Sequence, residues 1–348
     1  MNVAVIAGAT GAVASRLVEH LDASGWEVVG LCRRPRPAHG RVRYVGVDLL
    51  DGASVAQALH GEPKATHVFY SARAKFGEGG LENVEDNVAM LRNVLDAAEA
   101  NCPGLAHVHL VEGGKWYGQH LGAYPTPAKE DDERHIPPNF YYDQEDLLRS
   151  RQAGKPWAWS SSRPNVICDF APGRARNIIS IVGAYAAICR ELGVRLDFPG
   201  HPHQFRSLTE VTDAGLLARG LAFMATAPAC RNQAFNITNG DVFRWQRLWP
   251  RIAAAFKMTP GVVRTITLAD WMRDKDPVWQ RVTERHGLRL SRLEEIAQWT
   301  FADWLFRQTY DIVSSTTKLR RAGFHEAVDT EEMFLEQLAR YREARILP

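Results

Sequence analysis

Two tyrosines, Tyr141 and Tyr142, stand side by side in "NFYYDQED", just after the pair Pro137-Pro138. A phenol can donate a hydrogen bond or a proton to an oxygen that is gaining charge, and a nearby ammonium can hold it in place. A lysine one helical turn further on would share its face. The residues four positions on are Glu145 and Asp146, both acidic. The candidate cation lies upstream instead. In "LVEGGKWYG", Lys115 follows an apolar run that reads as a strand, and no serine occurs between Val111 and Lys115. Most lysines are surface residues, but carboxyl ends of parallel strands converge on ligand crevices. Lys115 and one of the two tyrosines are therefore the candidate catalytic groups.

A second constellation sits at the start of the chain. "GATGAVA" follows the apolar run "NVAVIAG" and opens an amphipathic stretch, so Gly8, Thr10, Gly11, Ala12 and Val13 form the turn between a strand and a helix. Glycines there let the backbone approach a pyrophosphate, and the helix start offers free N–H groups and a positive dipole end. The next strand ends in "CRRPRP", which places Arg33 and Arg34 where an NAD site would carry an acid for the ribose. Guanidinium groups suit a phosphate dianion, which selects NADPH over NADH. Asp48, with Leu49 beside it, is placed to accept from an adenine amino group, and Ser71 and Ala72 line the pyrophosphate side.

The elements that must hold these groups are readable from periodicity. "NVAVIAG", "EVVGLC", "RYVGV", "THVFY", "HVHLV" and "PWAWSSS" read as six buried strands. Helical spacing separates them, as with Val13, Leu17 and Leu21, or Val84, Val88, Leu91 and Leu95. Alternation of this kind implies a Rossmann-type, doubly wound parallel sheet of the α/β class. From about Phe170 helical patterns dominate, and six of the ten tryptophans lie beyond Asp241. The expected division is a cofactor-binding core over residues 1–169 and a mostly helical substrate-binding portion over 170–348, with return strands to the core allowed.

Composition excludes several classes. A net charge of +2 gives no handle for nucleic acid or an acidic membrane. Five scattered cysteines without a CxxC argue for reduced thiols. The longest apolar run, Ile178 to Cys189, is too short to span a bilayer. A cytoplasmic enzyme without a metal is expected. His107, His109, His201 and His203 lack the partners of a metal set and are assigned to packing or loops.

"GGKWYG", "PPNFYYDQED", "SRPNVI" and "FNITNGDVFRWQRLWP" together resemble the progesterone 5β-reductase and iridoid synthase family, a divergent branch of the extended short-chain dehydrogenases. The resemblance runs nearly the length of the chain. It implies NADPH-dependent reduction of the carbon–carbon double bond of activated enones and enals. It also implies Lys115 and Tyr141 as the catalytic pair, which leaves Tyr142 as a core tyrosine. In that role Tyr141 stabilises an enolate oxygen, while Lys115 holds the nicotinamide ribose and keeps the phenol acidic. Departures bear on the substrate. Arg73 stands where plant members have a tryptophan, Tyr124 where they have a phenylalanine, and Val166 in place of an asparagine beside the cofactor. Phe301 matches a substrate-lining phenylalanine. Phe301, nearby tryptophans and Tyr124 are expected to form an apolar cavity for a small hydrophobic enone or enal, with a homodimer allowed. A carbonyl reductase or epimerase of the extended class and a non-catalytic NADP sensor remain the alternatives.

Overall fold

The computed structural model of the chain describes residues 2–77 and 80–348. The amino-terminal part runs β1 (Val3–Ala7), α1 (Ala12–Ala23), β2 (Glu27–Cys32), β3 (Val42–Gly46), α2 (Gly52–His60), β4 (His67–Tyr70), α3 (Val84–Asn101), β5 (His107–Val111), α4 (Phe140–Gln152) and β6 (Ala158–Pro164). It continues through β7 (Ile167–Cys168), α5 (Ile178–Glu191), β8 (Leu196–Phe198), α6 (Pro202–Arg206), β9 (Thr212–Asp213), α7 (Ala214–Thr226) and β10 (Gln233–Ile237). The last third holds α8 (Trp245–Ala255), β11 (Pro260–Val263), α9 (Leu268–Trp271), α10 (Asp276–His286), α11 (Trp299–Phe306), α12 (Thr317–Arg321) and α13 (Thr330–Glu343).

Seven strands form one parallel sheet in the order β10-β6-β5-β4-β1-β2-β3. The order reverses direction at β1, so the crevice outside the carboxyl ends of β1 and β4 is the topological switch point where such sheets take ligands. Both faces are covered. Ala4, Ile6 and Val28 face Leu17, Leu21 and Leu217 on the α1–α7 side, while Val5, Ala7 and Val29 face Leu91, Leu95 and Leu148 on the other. This is the period-2 division of a strand buried on both sides. All six strands read from the sequence are present. The seventh, β10, and the helix before it lie beyond residue 170 and return to the core, so the carboxyl-terminal portion is not purely helical.

The remaining helices enclose a second core. In α5, every residue from Ile178 to Cys189 is buried, and Trp245, Trp249 and Trp279 are fully enclosed with Phe198, Phe306 and Phe334. Each such aromatic buries a large apolar area, which explains why tryptophans concentrate in this part. The five cysteines are buried and unpaired. Among the described residues no helix is long and apolar enough to cross a membrane.

Candidate active site

Lys115 leaves the sheet on a short 3-10 turn, Gly114–Tyr117, immediately past β5. Gly118 closes this turn in the left-handed region, φ 79°, a conformation that favours glycine. Tyr141 sits in the first turn of α4, whose N-cap, Asn139, is 1% exposed and accepts from the Tyr141 N–H at 3.3 Å. Asn139 Nδ2 also donates to the Lys115 carbonyl at 3.0 Å. Tyr142 completes the clasp: its hydroxyl donates to the Trp116 carbonyl at 2.6 Å and accepts from the His135 N–H at 2.8 Å. Asn139 and Tyr142 thus grip two consecutive carbonyls of the lysine turn. Lys115 Nζ lies 5.1 Å from the Tyr141 ring centroid and 4.3 Å from that of Phe140.

Behind this clasp, Arg163 on β6 is wholly buried. Its Nε donates to Glu112 at 2.9 Å, its Nη2 to Glu145 on α4 at 2.9 Å, and its Nη1 to the Tyr117 hydroxyl at 3.1 Å. Its guanidinium carbon lies 3.5 Å from the Trp116 ring centroid. One side chain therefore ties α4 to the lysine turn. Complete burial pushes Glu112 well above the usual carboxylate range. Burial also pushes Glu145 upward, but the adjacent Arg163, with Arg149 beyond it, brings it below its ordinary value. Within the group, burial favours the protonated form at Glu112, whereas Arg163 and Arg149 favour the ionised form at Glu145.

Burial pushes the Tyr141 phenol up to about 12, against a smaller lowering by Arg73. The expectation that Lys115 keeps this phenol acidic is therefore corrected. Lys115 spends its charge on Glu82, a close ion pair, and burial lowers the ammonium's own pKa. The result is a neutral phenol that can donate. Its hydroxyl has no hydrogen-bond partner among the described residues. Glu82 was missed from the sequence because an acid just before a helix reads as a first-turn charge.

At the glycine turn, Gly8 has φ 82°, and a Cβ there would meet the Ala72 backbone at 3.0 Å. Ser71 Oγ donates to the Ala7 carbonyl at 3.3 Å. Thr10, Gly11, Ala12 and Val13 lead into α1, and no side chain caps its first N–H groups. Arg174, which the sequence did not single out, donates to the Thr10 carbonyl at 3.0 Å and to Ser15 Oγ at 3.1 Å. Among the described residues its buried Nη1 has no hydrogen-bond partner, the nearest carboxylate being Asp169 at 4.0 Å. A guanidinium nitrogen without a hydrogen bond, beside a glycine turn and an uncapped helix start, is what an incoming phosphate would satisfy. Arg33 and Arg34 are exposed directly past β2. Asp48 is exposed and accepts from the Leu50 N–H at 3.1 Å, and Leu49 is buried beneath it. Val166, half-buried, presents its carbonyl to the Thr212 N–H at 2.9 Å.

The substrate side differs from expectation. Tyr124 is only 9% exposed and packs between Tyr117 and Tyr310, each with ring centroids 6.3 Å away. Phe301 is half-buried, packed against the carboxyl-terminal core and stacked on Trp304 at 6.1 Å. An open cleft of about 650 Å³ lies beside α11, lined by His120, Leu121, Trp304, Arg307, Gln308 and Tyr310 among others. This cleft is mixed rather than apolar. His120 Nδ1 and both amide atoms of Gln308 are buried without hydrogen-bond partners among the described residues. Burial first, then the charge of Lys115, lowers His120 to about 4, so it is neutral. Arg176 lies 4.5 Å from the Phe301 ring centroid, and Arg73 lies over Phe76 and Phe140. Elsewhere, His107 and His109 pack against Ser160 and Ser162 between the strands. Among the described residues no cluster of three or more His, Cys, Asp or Glu could hold a metal ion.

The family model of the PRISE-like Rossmann-fold domain matches residues 45–348. The chain belongs to that family. It is 34% identical over 367 residues to an (S)-8-oxocitronellyl enol synthase of Nepeta racemosa, with 100% of this chain and 93% of the relative covered. It is 33% identical over 370 residues to a 3-oxo-Delta(4,5)-steroid 5-beta-reductase of Arabidopsis thaliana, with 100% of this chain and 93% of that one covered. Among solved structures, this PRISE-like chain resembles a short-chain dehydrogenase/reductase superfamily protein of Agrobacterium tumefaciens, with a TM-score of 0.68, 18% identity, and 99% and 98% of the two chains covered. It also resembles a Thermus thermophilus UDP-glucose 4-epimerase, with a TM-score of 0.66, 18% identity, and 98% and 99% covered. Likeness at that identity concerns the fold.

Proposed function

We propose that the protein reduces the carbon–carbon double bond of activated enones and enals with NADPH. The observation that carries this reading is the Tyr141–Lys115 clasp at the carboxyl edge of the sheet, with no serine between β5 and the lysine. The named activities of the relatives, an enol synthase and an enone reductase acting on steroids, support it.

NADPH would lie along the switch-point crevice. The Gly8–Val13 turn and Arg174 would hold its pyrophosphate, Arg33 and Arg34 its ribose phosphate, and Asp48 with Leu49 its adenine. Ser71, Ala72 and Val166 would border the chain of the cofactor, and Lys115 would meet the nicotinamide ribose. When bound, the cofactor supplies hydride to the β-carbon of the substrate. Negative charge then develops on the carbonyl oxygen, and the Tyr141 hydroxyl is the donor this chain offers it. The phenol stays protonated to about pH 12, so it is a donor throughout the physiological range. Asn139 and Tyr142 fix its position, and Lys115, balanced by Glu82, anchors the ribose without drawing the phenol's proton away. Conjugation spreads the developing charge, so a single donor suits conjugate reduction better than attack on a saturated ketone.

The test is the initial rate of NADPH consumption on one cyclic enone, one acyclic enal and one saturated ketone. Tyr141→Phe should lower enone turnover by about a hundredfold to a thousandfold, the effect of losing one transition-state donor, while NADPH binding persists. Tyr142→Phe should cost stability, because two backbone groups lose their partner, and should change turnover far less. Full activity of Tyr141→Phe alongside a dead Tyr142→Phe would show that the wrong tyrosine has been chosen.

A further inference from the structure

The charges around Tyr141 do not balance. Lys115 lies 5.1 Å from its ring and Arg73 5.4 Å from that of the adjacent Phe140. Against the upward push of burial, the charges of Arg73 and Arg176 both lower the pKa of the Tyr141 phenol. Among the described residues one carboxylate, Glu82, pairs with Lys115 and Arg73. Glu112 is buried and engaged by Arg163 at 2.9 Å, and burial pushes its carboxyl toward the protonated form. Glu82 engages Lys115 closely and reaches Arg73 only at 3.8 Å. Arg176 forms no ion pair among the described residues. Its guanidinium lies over Phe301 at 4.5 Å, and Arg73 lies over Phe76 at 4.1 Å. An arginine on an aromatic face keeps its edge N–H groups free to meet an anion in two-point geometry. Two guanidiniums whose fields meet at one phenol repel each other, and desolvation followed by the charge of Arg73 lowers the pKa of Arg176. Among the described residues only Glu82, 3.8 Å from Arg73, offsets that repulsion.

These two arginines stand apart from the expected phosphate groups. The residue beside the glycine turn is Arg174, on Thr10 and Ser15, whereas Arg176 reaches across to α11. The aromatic that Arg176 covers stacks on Trp304, which lines the open cleft.

We propose that the substrate is an anion: an enone or enal that carries a carboxylate at the end remote from its reacting carbonyl. Arg176 receives the carboxylate and Arg73 supports it, while Tyr141 takes the carbonyl oxygen. This inference rests on the ene-reduction reading above and narrows its substrate class. Arg73 and Arg176 are specificity residues, because they touch the far end of the substrate and not its reacting atoms.

The experiment uses acyclic enones of equal length that end either in a carboxylate or in its methyl ester, with the spacer to the enone varied. The readout is the ratio of kcat/KM for acid over ester, with NADPH affinity measured separately by fluorescence. The unaltered protein should prefer the acid at one spacer length. Arg176→Leu should lower the ratio roughly tenfold to a hundredfold, the range for losing a hydrogen bond to a charged group, and Arg176→Lys should fall between. Preference for the ester at every spacer, or a ratio unchanged in Arg176→Leu, overturns the proposal. So does loss of NADPH affinity in Arg176→Leu with the ratio unchanged, which would assign the arginine to the cofactor. Calorimetry of the saturated keto acids and keto esters, with NADP+ present, separates this proposal from the function it rests on. Arg176-dependent binding of the acid with no enone turnover would uphold the anion site and sink the reduction. Neutral enones reduced with no effect of Arg176 on acid binding would do the reverse.

Discussion

Replacing Arg163 by methionine removes the side chain that joins both halves of the candidate site. The methionine fills much of the volume but leaves Glu112, Glu145 and the Tyr117 hydroxyl without their donor. Burial already pushes Glu112 toward its protonated form, so the cost falls mainly on Glu145, which is 1% exposed in its side chain. Arg149 still reaches Glu145 at 2.5 Å, but from a half-exposed position where screening weakens it. The cheapest response is for Glu145 to take up a proton in the folded state. With an unfolded pKa of about 4.3, that costs about 3.7 kcal/mol at about pH 7 and about 1.6 kcal/mol at about pH 5.5. The first figure sits within the roughly 3–5 kcal/mol expected for breaking a buried pair. The sign follows from linkage. The variant's folded-state carboxyl pKa lies above its unfolded value, so the deficit is smallest at low pH and grows as pH rises. Urea unfolding of both proteins at the two pH values measures it, because effects common to both cancel. Turnover of an enone, measured where the variant is still folded, should fall as the lysine turn and α4 loosen, and added NADPH should not restore it. A deficit below about 1 kcal/mol at neutral pH, or one that grows as pH falls, would refute the assignment of charge within this group.

Two further outcomes test the cofactor and the clasp. Replacing Arg33 and Arg34 together by alanine should erase most of the preference for NADPH over NADH, read from the ratio of their dissociation constants; equal affinities in the unaltered protein would remove the reason for assigning them to the phosphate. Asn139→Ala removes a helix cap and the bond to the Lys115 carbonyl, so it should cost about 1–2 kcal/mol of stability and lower kcat more than it raises KM for the enone. An unchanged kcat would mean that Tyr141 and Lys115 do not need the clasp.

The fold was written locally. Apolar runs with turn residues between them specify strands of a parallel sheet, and "GATGAVA" specifies the strand–helix turn because only small residues allow that approach. The family resemblance points to Lys115 and Tyr141 as the candidate pair, and each lies at a predictable end of an element. The seventh strand, "QAFNI", was not recognised, because a short apolar run in a helical region has no period of its own until β6 offers it an edge.

What only the tertiary structure decided is how the charges pair. Glu82 lies 33 positions from Lys115, Glu112 lies 51 from Arg163, and Arg176 meets the aromatic face of Phe301. Nothing in local sequence fixes such distances. Burial then set the protonation states, raising the phenol of Tyr141 and the acid of Glu112 against the expectations of their types. Side-chain chemistry is a property of the residue, and the sequence states it. Desolvation and Coulomb energy depend on what surrounds the residue, and chain folding alone supplies those surroundings.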